Sequence, residues 1–135
     1  DEEAPRGAYI AFQRGPKWEA AGVAGAQLAR LEDGLREVLP VQTLGANDAT
    51  SFASEDAMRA WKRTIAAARV LVTPDGGAAH VAGMTATPCV DLFPNGPEVR
   101  RQMRRWAPWA SPRALLIADR DAPVVAAARD LCGRS

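Results

Sequence analysis

Residues Arg69–Ala82, RVLVTPDGGAAHVA, decide the fold of this 135-residue chain. A β-branched run ends at Pro74, passes through Asp75-Gly76-Gly77 and enters an alanine-rich segment with the sole histidine, His80. The pattern predicts a buried strand, Arg69–Thr73, turning through glycines into a short helix, Ala78–Thr85. Such a junction is an anion site. Glycines admit a ligand close to the backbone, and the first N–H groups of the helix have no partner within it. The helix dipole adds roughly half a positive charge at that end. Amides around Gly77–Ala79 would donate to a diphosphate, with Ala78 and Ala79 leaving the helix end uncovered. His80 would reach a phosphate or ribose oxygen. Asp75 repels a phosphate, so its expected task is to hold the loop by accepting backbone N–H groups. The plainer alternative is a tight connection in which Asp75 caps the helix and His80 packs in its first turn.

Outward from this turn, strand-like and helix-like segments alternate. Further strands are predicted at Ala8–Gln13, Pro40–Gly45, Pro88–Phe93 and Ala114–Ala118. Helices are predicted over Trp18–Val38, from Ser54 to about Ala68, over Glu98–Arg105 and over Ala122–Leu131. Ser54 is placed to cap its helix, with Glu55 and Asp56 in the first turn. Asp1–Gly7 reads as a loose lead-in, and residues 8–135 as a single domain. The strands are continuous apolar runs, as expected when both faces of a sheet are covered. The fold class is therefore α/β, a Rossmann-like parallel sheet with helices on both faces. Ligands of such sheets bind beyond the carboxyl ends of the strands, where the loops after Gln13, Thr73 and Phe93 open together.

Composition narrows the function. A net charge of +1 provides no field to recruit nucleic acid. No apolar run is long enough to span a bilayer, and no segment reads as a signal peptide, so neither is expected. Cys89 and Cys132 fit no metal or redox spacing, and two buried thiols in a reducing cytoplasm are expected rather than a disulfide. The lone histidine argues against His-based metal sites. A P-loop ending, a G-x-G-x-x-G fingerprint after the first strand and a nucleophile elbow are all missing. The chain opens at Asp1 without a methionine, as a trimmed chain or one piece of a longer polypeptide would.

Two further segments carry candidate contacts. In QRGPKW, Lys17 is a compact charge suited to a phosphate, with Arg14 a weaker substitute and Gln13 at the strand end. Asn95 and Gly96 lie in the PNGP turn on the same edge of the sheet. Residues Glu98–Pro112, EVRRQMRRWAPWASP, pair like charges at i,i+4 and carry Trp106 and Trp109, which suit either a solvated basic face or contact with a neighbouring domain.

Taken together, LVTPDGGAAHVAGMTATPCVDLFP resembles the strand–D-x-G-x-x-H–helix–x-x-P–strand–F signature of glycosyltransferase family 9, the ADP-heptose:lipopolysaccharide heptosyltransferases among them. Asp75, Gly77, His80, Ala82, Pro88 and Phe93 fall on the motif. Lys17-Trp18 resembles the family's Lys-Trp element, and Arg105-Trp106-Ala107-Pro108 its Arg-Trp-x-Pro. Gly76 stands where serine or threonine is common, Pro94-Asn95-Gly96 departs from the usual Gly-Pro-Thr, and the stretch from Gln13 to Asp56 is short by about one strand–helix unit. The resemblance implies one half of a GT-B fold, the carboxyl-terminal domain that binds a nucleotide-diphosphate sugar such as an ADP-sugar. It implies phosphate contact by Lys17 and a diphosphate turn at Gly76–His80. It also implies an amino-terminal Rossmann-like domain as partner, and that domain would carry the catalytic base, so no catalytic residue is assigned here. Neither a cofactor nor a metal is expected. The location implied is cytoplasmic, with a peripheral place at the inner face of the membrane as a variant. The alternative reading is a degenerate, non-catalytic domain acting as a protein interaction module through Trp106, Trp109 and the arginine segment. A self-contained phosphate-handling enzyme would have to draw its acid or base from Asp75, His80 or Asp91.

Overall fold

A computed structural model describes residues 7–15, 18–19, 23–45, 54–74, 76–93, 98, 113–117 and 121–133. Among the described residues nine elements follow in chain order: β1 (Ile10–Gln13), α1 (Gly25–Arg36), β2 (Val41–Leu44), α2 (Glu55–Ala67), β3 (Val70–Pro74), α3 (Gly77–Thr85), β4 (Cys89–Phe93), β5 (Arg113–Ile117) and α4 (Asp121–Cys132). The strands form one five-stranded sheet in the order β2-β1-β3-β4-β5. Every adjacent pair is parallel, with Ile10 opposite Val41 and Val70, and Leu71 opposite Cys89. The Rossmann-like α/β fold read from the sequence is therefore the fold of the chain.

Strand alternation sends side chains to two separate cores. Ile10, Phe12, Val70, Val72, Val90 and Leu92 pack against α1 and α4, through Leu28, Leu31, Leu35, Val124, Ala128 and Leu131. Ala11, Leu71 and Cys89 face the other way, against Trp61 and Ile65 of α2 and Ala78, Ala79, Val81 and Ala82 of α3. Small residues on α3 let that helix lie close to the sheet. Burial on both faces explains why β3 and β4 are buried along their whole length. A central aromatic such as Phe12, with no exposed surface, contributes on the scale of the ~3–5 kcal/mol lost when such a ring is cut to alanine.

Helix ends follow local chemistry. Ser54 caps α2 as expected: its hydroxyl accepts the Ala57 amide at 3.0 Å, ahead of Glu55 and Asp56 in the first turn. One expectation needs correction. The helix predicted over Trp18–Val38 is not continuous. Trp18 and Glu19 are helical, but Val23 and Ala24 are not, and Ala24 is extended (φ −73°, ψ 156°) as the N-cap of α1. The amide of Val23 reaches back to the Trp18 carbonyl (3.0 Å), so Val23 stays buried although it lies outside a helix. Cys89 and Cys132 are both free; Cys89 is buried and Cys132 only half-buried. The predicted lead-in up to residue 6, residues 46–53, and the predicted helix and aromatic segment at 99–112 lie outside the described residues.

Candidate functional site

In a parallel sheet of order 2-1-3-4-5 the chain leaves β1 and β3 in opposite directions, which opens a crevice at the carboxyl ends of these two strands. The loops leaving β1, β2 and β3 each carry a glycine at positive φ on this edge: Gly15 (φ 140°), Gly45 (φ 64°) and Gly76 (φ 153°). At Gly76 that angle favours glycine over any L-residue.

Helix α3 starts one residue later. Its N-cap, Gly76, has no side chain to offer the helix, and no acidic residue sits in the first turn. The His80 amide donates to the Gly76 carbonyl at 3.1 Å. Gly77 is exposed and Gly76 half-buried. The open end of the helix is therefore Gly76-Gly77. Ala78 and Ala79 face the core, and Ala79 has no exposed surface at all. His80 is exposed beside the turn. A β-carbon placed on Gly77 would lie 3.8 Å from Cη2 of Trp61, an ordinary contact. Packing does not demand glycine here.

Helix α1 flanks the same crevice from the other face of the sheet, and it too begins on a glycine that packing does not require: a β-carbon on Gly25 would meet nothing within 4 Å. Its N-cap, Ala24, makes no side-chain cap hydrogen bond, and its first turn is free of acidic residues. A cavity of about 420 Å³ lies at this helix end, lined by Gly15, Trp18, Glu19, Val23, Ala24, Gly25 and Leu28. Its size falls in the range of small-ligand pockets. Main-chain polar atoms share the wall with apolar side chains, and Glu19 on it is exposed.

Gln13, at the end of β1, organises the floor between the two helix ends. Its main-chain carbonyl accepts the indole N–H of Trp18 at 2.6 Å, and its side-chain carbonyl accepts that of Trp61 at 2.7 Å. Its amide nitrogen donates to the carbonyls of Arg14 (2.8 Å) and Leu44 (3.4 Å). The ring of Trp18 is tilted against Phe12, with centroids 5.5 Å apart. The sequence marks Gln13 only as a candidate contact at the strand end and gives Trp61 no part in the site. The contact between them spans 48 residues and has no local signature.

Arg14 is committed elsewhere. Its guanidinium meets Glu32 at 2.9 Å, and Glu32 also binds Arg36 at 2.6 Å and the Thr43 hydroxyl at 3.1 Å. Burial pushes the Glu32 carboxyl up, but the hydrogen bonds from Thr43 and Arg14 and the charge of Arg36 outweigh it and hold the group below its usual range. Asp91 stands opposite Thr73 with no accessible surface, so it cannot meet a substrate as an acid or base. Lys17, Asp75, Asn95 and Gly96 lie outside the described residues. Among the described residues no cluster of three or more His, Cys, Asp or Glu side chains is placed to hold a metal ion. No helix among them is long and apolar enough to cross a membrane.

No family model matches the chain, and no curated protein or solved structure is significantly similar to it.

Proposed function

We propose that this chain is the donor-binding domain of a glycosyltransferase, holding the diphosphate of an ADP-sugar-like donor at the Gly76–His80 turn. The observation that carries the reading is the glycine-led N-terminus of α3. It starts at exposed Gly77, follows a glycine at φ 153°, and stands beside β1 at the switch point of the sheet. Backbone amides and the positive end of the helix dipole favour a doubly charged oxyanion there. The cavity beside Trp18 opens on the same edge and is available to the nucleoside. Glu19 on its rim suits hydroxyl or amino groups, because a carboxylate accepts hydrogen bonds and repels phosphate. In this reading sugar transfer to a hydroxyl acceptor is assisted by the turn, which stabilises the departing diphosphate as the glycosidic bond breaks. Lys17 adds a charge to the phosphates, and the base that deprotonates the acceptor belongs to an amino-terminal partner domain.

Calorimetric titration with ADP, AMP and ADP-sugars tests the reading. ADP is expected to bind at millimolar concentration or better, and more tightly than AMP. Gly77→Val is expected to abolish the heat while the far-ultraviolet circular dichroism stays unchanged. No heat with any of the three ligands would sink the proposal.

A further inference from the structure

Trp61 holds two parts of the switch point at once. Its indole N–H is fixed by Gln13 Oε1 at 2.7 Å, at the carboxyl end of β1. Its six-membered ring lies under the start of α3, with Cη2 3.8 Å from where a Gly77 β-carbon would be. The side chain is 8 % exposed and packs in one cluster with Ala78 and Ala79, the next two residues of that helix turn. Gln13 in turn is tied through its amide nitrogen to the Arg14 and Leu44 carbonyls, so the acceptor is itself held in one orientation. The indole therefore works as a rigid strut between β1 and the glycine turn.

We propose that Trp61, clamped by Gln13, is the positioning residue of the anion turn, setting the height and direction of the Gly76-Gly77 amides and coupling them to β1. The inference rests on the diphosphate reading of that turn. A hydrogen-bond donor aimed at an oxyanion is effective only over a few tenths of an ångström, so a strut beneath the turn acts on affinity without touching the ligand. Trp18 provides an internal control. Its indole binds the main-chain carbonyl of Gln13, which substitution of the Gln13 side chain leaves in place.

The experiment uses Trp61→Phe, Gln13→Leu and the double variant, with ADP as the probe. Trp61→Phe keeps an aromatic ring in the cluster but removes the N–H, and Gln13→Leu removes the acceptor. Each single variant is expected to weaken ADP about five- to tenfold, on the scale of one lost hydrogen bond. The double variant is expected to lose no more than either single one, because the pair acts as a unit. In the ligand-free protein both singles are expected to shift the Gly76 and Gly77 amide resonances, leaving that of Gly133 in place. In the wild type, ADP is expected to move the Trp61 indole resonance together with that of Gly77. Single variants that bind ADP like the wild type, additive losses, or a Trp61 resonance that stays still while Gly77 moves would overturn the proposal. Should the wild type bind no ADP, the diphosphate reading fails by itself, and the ligand-free Gly76 and Gly77 resonances of the variants still decide the coupling. Variants too unstable to study leave the decision to the wild-type titration.

Discussion

Gly77 sits over the indole of Trp61 at ordinary contact distance, since a β-carbon there would lie 3.8 Å from Cη2. Glycine is a poor first residue for a helix, and alanine would favour the helix by up to about 1 kcal/mol. Gly77→Ala is therefore expected to keep or slightly raise the melting temperature while lowering ADP affinity, since the added methyl group stands at the exposed end of α3. Differential scanning calorimetry alongside titration separates the two effects. A variant that is more stable and binds ADP equally well would show that the turn admits no ligand close to its backbone.

Gly34 presents the opposite case. A β-carbon on it would meet Val125 Cγ2 at 2.9 Å, where α1 crosses α4. Valine is short and branched, so it cannot swing aside cheaply. Gly34→Ala is expected to destabilise the fold by about 1–2 kcal/mol in spite of its better helix propensity. Gly34→Ala combined with Val125→Ala is expected to recover part of that loss in chemical denaturation.

Glu32 predicts a pH dependence. Its carboxyl titrates lower in the folded chain than in the unfolded chain. Its contribution is thus fully present above the unfolded value, 4.5, and is lost as the pH falls through the lower folded value. Glu32→Gln is expected to cost about 1 kcal/mol at neutral pH, the arginines being partly exposed, and to flatten the acid limb of the melting profile. Thermal melts between neutral and acidic pH check both points. An unchanged acid limb would show that Glu32 has no part in acid sensitivity.

Ala86 ends α3 in the left-handed region, at φ 56° and ψ 28°. A β-carbon is strained there, and glycine is the usual solution. Ala86→Gly is expected to stabilise the chain by about 0.5–1 kcal/mol, seen as a higher midpoint in urea.

The architecture was legible because continuous apolar runs such as VLVTP and CVDLF leave few alternatives to strands covered on both faces. The glycine pair after β3 marked the turn, and Ser54 with its acidic followers marked the start of α2. The start of α1 was misread because Val23 keeps helical spacing with Leu28, Leu31 and Leu35 while packing from outside the helix. Gly22 and Gly25 on either side of it were the available warning. The site floor was not legible. The meeting of two indoles on Gln13 depends on how α2 and the segment at Trp18 fold back onto β1, and no spacing in the chain encodes that. The ion pair of Arg14 was not legible either, because its partner, Glu32, lies 18 residues away and more than a full helix turn into α1.

The sheet is a wall shared by two hydrophobic interiors, one built with α1 and α4 and the other with α2 and α3. The crevice at the carboxyl ends of β1 and β3 touches a helix from each. A molecule seated across it would act as mortar between the layers, so that neither could peel away without releasing it. Melting would then sharpen as well as rise with ligand, because two halves joined only through their common partition would come apart as one.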